Sequence, residues 1–139
     1  MKIFPVLLLV AAVLAGCSAT ERFDNKTYLA LVAKTHREYF QSPERAYQAE
    51  MRFAQYVRDS MHRGIDFPNE TVLVWTYPRI ALSAEYAGRK NQADNLFAFA
   101  EEFRKRVYPN QPIDGTGRFH TLREAVIYMD RESGVPWLK

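Results

Sequence analysis

Few residues of this 139-residue chain belong to the types and spacings that perform catalysis or bind metal ions. His36, His62 and His120 lie on three separate predicted segments, and none has the His-x-x-x-His or His-Glu-x-x-His spacing of a zinc site. No Gly-x-Ser-x-Gly sequence marks a hydrolase nucleophile. Most carboxylates fall on polar faces of predicted helices. We therefore predict no catalytic, cofactor-binding or metal-binding residue, and no enzyme activity.

One enzyme class stays open as an alternative. A small cell-wall hydrolase can be built around a single buried glutamate, and such a site leaves little trace in a sequence. The segment Asp114-Gly115-Thr116-Gly117 suggests a phosphate-binding loop, but no strand precedes it and no Lys-Ser or Lys-Thr pair follows. We therefore predict a turn there.

The single cysteine, Cys17, follows a charged start and an apolar run from Ile3 to Leu14. This arrangement is typical of an export signal, because the apolar run is too short to span a membrane. The sequence Leu14-Ala15-Gly16-Cys17 resembles the lipobox of bacterial lipoproteins. The resemblance implies that the Cys17 thiol carries a diacylglycerol, that the chain is cut before Cys17, and that the new amino group is acylated, with palmitate as the expected fatty acid. The alternatives are a secretory signal with an unrelated cysteine and an uncleaved anchor.

The residue after the cysteine bears on the location of the protein. In lipoproteins of Gram-negative bacteria, Ser at this position usually sends the protein to the outer membrane, whereas Asp retains it in the inner one. Ser18 therefore implies the periplasmic face of the outer membrane, with a lipid anchor through acylated Cys17. The inner membrane is the alternative if this sorting does not apply, and the argument lapses in a Gram-positive organism.

Removal of residues 1–16 leaves 123 of the 139 residues, enough for one domain with one core. Nine Phe, eight Tyr and two Trp, nearly all in helical patterns, provide much aromatic surface that needs burial. The formal charge of +3 is too small to suggest a nucleic-acid partner. We predict a signal peptide at 1–16, a lipidated tether at 17–23 and a single helical domain at 24–139.

Helix-start residues divide this domain into about five helices packed as antiparallel hairpins, an all-α fold. The starts are Asp24 or Asn25, Ser42-Pro43-Glu44, Asn69-Glu70-Thr71, Asn91-Gln92-Ala93, and the capping box Thr121-Leu122-Arg123-Glu124. The β-branched run Val72–Trp75 is also compatible with a strand, but no partner strand exists, so we predict a helix. Pro78 predicts a kink or break near Trp75–Tyr77.

Apolar residues at helical spacing indicate which faces are buried. In the first helix, the stripe comprises Leu29, Val32, Ala33, His36 and Phe40. The terminal pair Trp137-Leu138 is expected to pack back onto the helices, because a Trp left in water forfeits much apolar burial.

One stretch of about thirty residues is similar to a tetratricopeptide (TPR) repeat. The positions that carry the resemblance are Tyr77, Ile80, Ala81, Ala84, Gly88, Ala93, Phe97 and Ala100. The resemblance implies a hairpin whose two helices touch through small residues. Since only one repeat is recognisable, we expect TPR-like packing or a small helical bundle instead of a repeat array.

These features predict a membrane-anchored lipoprotein that acts as a periplasmic protein–protein interaction or assembly module, with an unidentified protein partner. An immunity or exclusion lipoprotein that blocks a toxin or phage component is an alternative, and a small cell-wall enzyme is another. The predicted partner surface comprises Phe99, Ile113 and Phe119, apolar residues on or beside the irregular stretch 108–120. The competing explanation is that these residues seal that stretch onto the bundle.

Overall fold

The computed structural model describes residues 21–139, so the predicted signal peptide, Cys17 and Ser18 lie outside the described residues. Five α-helices follow one another, and within 21–139 there is no strand. The helices are α1 (Asn25–Tyr39), α2 (Pro43–His62), α3 (Leu73–Tyr86), α4 (Lys90–Val107) and α5 (Leu122–Glu132). Short 3-10 turns, Glu70–Val72 and Pro136–Leu138, precede α3 and end the chain. The prediction of an all-α fold with about five helices is confirmed.

Side-chain caps define three of the helix starts as the sequence predicted. The Asp24 carboxylate accepts hydrogen bonds from the backbone N–H groups of Lys26 and Thr27. The Ser42 hydroxyl accepts one from the N–H of Arg45, and Thr121 forms a complete capping box with Glu124. These contacts satisfy N–H groups that the first turn of a helix leaves without a partner.

The third helix contains two segments whose local sequence disfavours a helix. The segment Val72–Trp75 is helical: Val72 ends the 3-10 turn and Leu73 begins α3. The helix then continues through Pro78 to Tyr86 without a break. An interior proline costs about 3 kcal/mol, whereas burying each large side chain such as Ile80 or Leu82 stabilises by about 1.5–3 kcal/mol. Packing therefore keeps α3 helical across the proline.

The core is organised around α3, which packs against α2, α4 and α5. Ten of its 14 residues are buried, so α3 is covered on most of its circumference. The helices α3 and α4 form the most extensive contact of the fold. The small residues that carry the TPR resemblance on these helices are buried: Ala81, Ala84, Ala93 and Ala100.

The predicted buried stripe of α1 is wrong. Leu29 is 55% exposed and Val32 37% exposed, whereas Thr35 and Tyr39 are the buried residues of this helix. The sequence of α1 contains two lines at spacings of three and four, and the line through Tyr28 and Tyr39 is the one that faces the core. A buried tyrosine provides more apolar area than leucine or valine and can also satisfy its hydroxyl.

The C-terminus packs onto the bundle, as predicted. Leu138 is fully buried, and the indole N–H of Trp137 donates a hydrogen bond to the backbone oxygen of Tyr39 at 2.6 Å. Gly134, with φ of 80°, ends α5 in the left-handed conformation that favours glycine. This turn directs the last residues toward α1, where they close one side of a cavity.

Candidate functional site

A cavity of about 280 Å³ lies where α1 meets α2, α3 and the end of α5, and we call it the Glu50 cavity. Its volume is just below the range of pockets that enclose drug-sized ligands, so it suits a single side chain or a small molecule. The exposed residues Val32 and His36 lie at its mouth. The lining residues are Tyr28, Val32, Thr35, His36, Tyr39, Phe40, Glu50, Phe53, Val72, Trp75, Thr76, Arg79, Asp130, Ser133 and Val135.

Asp130 of α5 is the best-satisfied acidic group of this cavity. The residue is 1% exposed, and its carboxylate accepts a hydrogen bond from the Tyr39 hydroxyl at 2.6 Å. It also accepts two from Arg79, from Nη2 at 2.9 Å and from Nε at 3.2 Å. These bonds join α1, α3 and α5, and they compensate the cost of burying a carboxylate.

The same contacts hold the partners of Asp130 in fixed protonation states. Burial, and then the neighbouring Asp130 charge, raises the pKa of the Tyr39 phenol, so Tyr39 is a neutral donor at every physiological pH. Burial acts to lower the pKa of Arg79, but the charge and hydrogen bonds of Asp130, with smaller contributions from Glu50 and Tyr39, together outweigh it and raise the pKa. Arg79 is therefore a permanent cation paired with Asp130.

Glu50 of α2 differs from Asp130 in having no such partners. It is 6% exposed and lines the cavity, yet it makes no hydrogen bond or ion pair with any residue of 21–139. Burial raises the pKa of the Glu50 carboxyl to about 8; the charge of Asp130 acts in the same direction and that of Arg79 opposes it. Most of Glu50 is consequently neutral at pH 7.

The expectation that carboxylates lie on polar helix faces fails at both acids. Glu50 comes four residues after Ala46 and three before Phe53, so it lies on the buried face of α2. Asp130 comes four residues after the buried Val126 on α5. The signal that could have revealed both was present: an acidic residue inside an apolar stripe at helical spacing.

The three residues of the predicted partner surface have different surroundings. Phe99 is 49% exposed, and its ring contacts Tyr77 edge-on with centroids 4.9 Å apart. Ile113 is half-buried against the core that contains Tyr77. Phe119 is half-buried on Tyr128 of α5, with centroids 5.4 Å apart. Among the described residues no ring contact joins Phe99 to Phe119, so a common surface for all three stays a prediction.

The irregular stretch 108–120 is held by turns and by one buried cation. Asp114 accepts hydrogen bonds from the N–H and hydroxyl of Thr116, a local turn that confirms the turn prediction. Arg104 is buried and donates to the backbone oxygen of Gln111 at 2.9 Å and to Glu101 at 2.8 Å. Arg104 thereby ties this stretch to the end of α4.

The chain matches no protein-family model, no curated protein and no solved structure. In residues 21–139, no three His, Cys, Asp or Glu side chains come close enough together to hold a metal ion. No helix in that range has both the length and the apolar character of a membrane span.

Proposed function

We propose that this protein is a lipoprotein, held on the periplasmic face of the outer membrane by acylated Cys17, whose helical domain binds a partner protein at the Glu50 cavity. The anchor rests on the lipobox resemblance and the location on Ser18. Binding rests on one observation: an open cavity is lined by Glu50, a residue only 6% exposed, whose carboxyl group has no hydrogen-bond partner among residues 21–139. A cavity of this kind is the default position for a binding site.

The surroundings of the cavity favour a protein as the partner. Leu29 and Val32, both on α1, expose large apolar side chains beside the mouth. A protein surface can cover these residues while one of its side chains enters the cavity, whereas a small molecule of 280 Å³ or less would leave them in water.

Photo-crosslinking in cells tests this proposal. A photoreactive amino acid replaces His36 at the mouth of the cavity, and in a matched variant it replaces Asn95, an exposed residue of α4 outside the cavity lining. We expect a discrete protein adduct from position 36 and none of the same mass from position 95. The proposal is refuted if the two positions give the same adducts, or if neither gives one.

A second candidate function is acid–base catalysis on cell-wall glycan, and it is favoured by the raised pKa of Glu50. A glutamic acid that stays protonated near pH 7 can donate a proton to a leaving group. Most glycosidases need a second carboxylate for the nucleophile or base, but the hydrogen bonds from Tyr39 and Arg79 already occupy Asp130. This function therefore ranks second. Release of soluble fragments from peptidoglycan by the protein, and its loss in Glu50→Gln, would support it.

A further inference from the structure

When Glu50 is ionised, the charged side chains that line the Glu50 cavity lack one positive charge. Glu50 and Asp130 are acids, and Arg79 is the one guanidinium among the lining residues. Two of the Arg79 nitrogens donate to Asp130, so this pair is neutral and largely satisfied. Glu50 is left without a donor from residues 21–139, although more than nine-tenths of it is buried. A buried acid is stable in its charged form only beside a cation or hydrogen-bond donors.

The walls of the cavity suit a cationic group. Five aromatic side chains line it: Tyr28, Tyr39, Phe40, Phe53 and Trp75. The face of an aromatic ring attracts an ammonium or guanidinium group, and this attraction grows when water is excluded. Such a use of these rings already occurs at the site, where the Arg79 guanidinium carbon lies 5.7 Å from the centroid of the Tyr39 ring.

We infer that the Glu50 cavity receives a lysine or arginine side chain of the partner protein, whose cationic group pairs with the Glu50 carboxylate between the aromatic walls. This assignment rests on the proposed function, since it names the part of the partner that enters the cavity. The apolar stem of such a side chain would lie against the aromatic rings, and its charged end would reach the carboxylate. The cavity volume of about 280 Å³ suits one side chain.

Binding of a cation is expected to release a proton. Glu50 is mainly protonated at pH 7, and the ion pair forms only after the carboxyl group loses its proton. Below pH 8, affinity for a cation should therefore rise about tenfold for each pH unit. The other titratable or charged groups facing the cavity are Tyr28, His36, Tyr39, Arg79 and Asp130. The variant His36→Gln removes the imidazole at the mouth of the cavity and so isolates the contribution of Glu50.

The experiment uses the full-length lipidated protein in detergent and n-butylammonium chloride as the probe, with binding followed by NMR at pH 6 and 7. n-Butanol has the same length without the charge. We expect n-butylammonium to bind about tenfold more tightly at pH 7 than at pH 6, in wild type and in His36→Gln. At pH 7, we expect wild type to bind n-butanol at least tenfold more weakly than n-butylammonium. We also expect Glu50→Gln to bind n-butylammonium at least tenfold more weakly than wild type does. Glu102→Gln, an exposed residue of α4, should have no effect.

A blocked Ala-Lys-Ala tripeptide separates a side chain from a free amine. We expect it to bind at least as tightly as n-butylammonium; binding of n-butylammonium alone would overturn the assignment to a partner side chain. Equal binding of n-butylammonium and n-butanol, or no loss in Glu50→Gln, would overturn the assignment of a cation. If position 36 still crosslinks a partner in that case, the proposed function stands, but the group that enters the cavity is not a cation. If both probes bind but no adduct forms from position 36, the proposed function fails, and so does the assignment of a partner side chain to the cavity.

Discussion

Replacing Glu50 with glutamine should make folding stability less sensitive to pH, and the size of the effect follows from the burial of this residue. The ordinary pKa of a glutamate is 4.5, and burial raises that of Glu50 to about 8. One pKa unit corresponds to about 1.4 kcal/mol, so the full effect on the free energy of unfolding is on the order of 5 kcal/mol. Glutamine has the shape of the protonated acid and carries no charge.

The sign of the effect depends on which state binds the proton. Below pH 4.5, Glu50 is protonated in both the folded and the unfolded chain, and its contribution to stability is fully present. Between pH 4.5 and 8, the unfolded state has lost the proton that the folded state keeps, so stability falls as pH rises. Above pH 8 both states are ionised, and the loss is complete. Glu50→Gln removes this loss and should stabilise the protein most at pH 9.

Urea denaturation of wild type and Glu50→Gln at pH 5, 7 and 9 measures this difference. We expect the free energy of unfolding of Glu50→Gln, relative to that of wild type, to grow with pH by several kcal/mol, with most of the increase between pH 5 and 8. Glu102→Gln changes an exposed carboxylate of α4 and should show no such growth. A difference between wild type and Glu50→Gln that stays constant from pH 5 to 9 would refute the conclusion that Glu50 is a desolvated acid.

Four further changes test other parts of the structure. Asp130→Asn should lower the free energy of unfolding by about 3 kcal/mol in urea, because Arg79 loses its buried partner; a change below 1 kcal/mol would contradict this. Ala93→Leu should cost about 1–3 kcal/mol by overpacking, seen as a lower melting temperature; an unchanged melt would mean that α3 and α4 are not in close contact there. Cys17→Ala should leave the protein unprocessed or free of membranes on fractionation, and wild-type processing would rule out the lipobox. Phe99→Ser should weaken partner binding with a nearly unchanged melt if Phe99 lies on a partner surface; a melt that falls while binding persists would show that it seals the core.

The helices could be predicted from the sequence because their signals are local. A capping residue acts on N–H groups two or three positions away, so Asp24, Ser42 and Thr121 indicate helix starts without knowledge of the rest of the fold. The same reasoning placed a turn at Asp114, whose carboxylate bonds to Thr116. Such contacts do not depend on which helices later become neighbours.

The burial of α1 could not be predicted in the same way, because its sequence offers two competing faces. Leu29 and Val32 form an apolar line, but Tyr39 lies on another line and reaches Asp130, 91 positions later in the chain. The packing of the line through Tyr28 and Tyr39 against the core, together with that distant hydrogen bond, sets which face of the helix is buried. Nothing within α1 itself reveals it.

The candidate site was missed for a related reason. An acidic residue within an apolar stripe is usually interpreted as a solvated position at the edge of that stripe. Glu50 is instead buried and lines a cavity together with α1 and residues that follow α5, segments that approach only in the folded chain. The sequence contained the irregularity, but the pairing of Asp130 with Arg79, which leaves Glu50 alone, depends on three-dimensional contacts.

The most direct test of the central claim is the affinity of the protein for the partner identified by crosslinking, measured in two tryptophan variants. Val32 lies at the mouth of the Glu50 cavity, whereas Asn95 is exposed on α4 outside the cavity lining. Since both residues are exposed, neither substitution should disturb the core. We predict that Val32→Trp blocks the cavity and weakens binding at least tenfold, while Asn95→Trp changes it less than threefold. Equal affinities of Val32→Trp and wild type would contradict the claim that the partner enters this cavity.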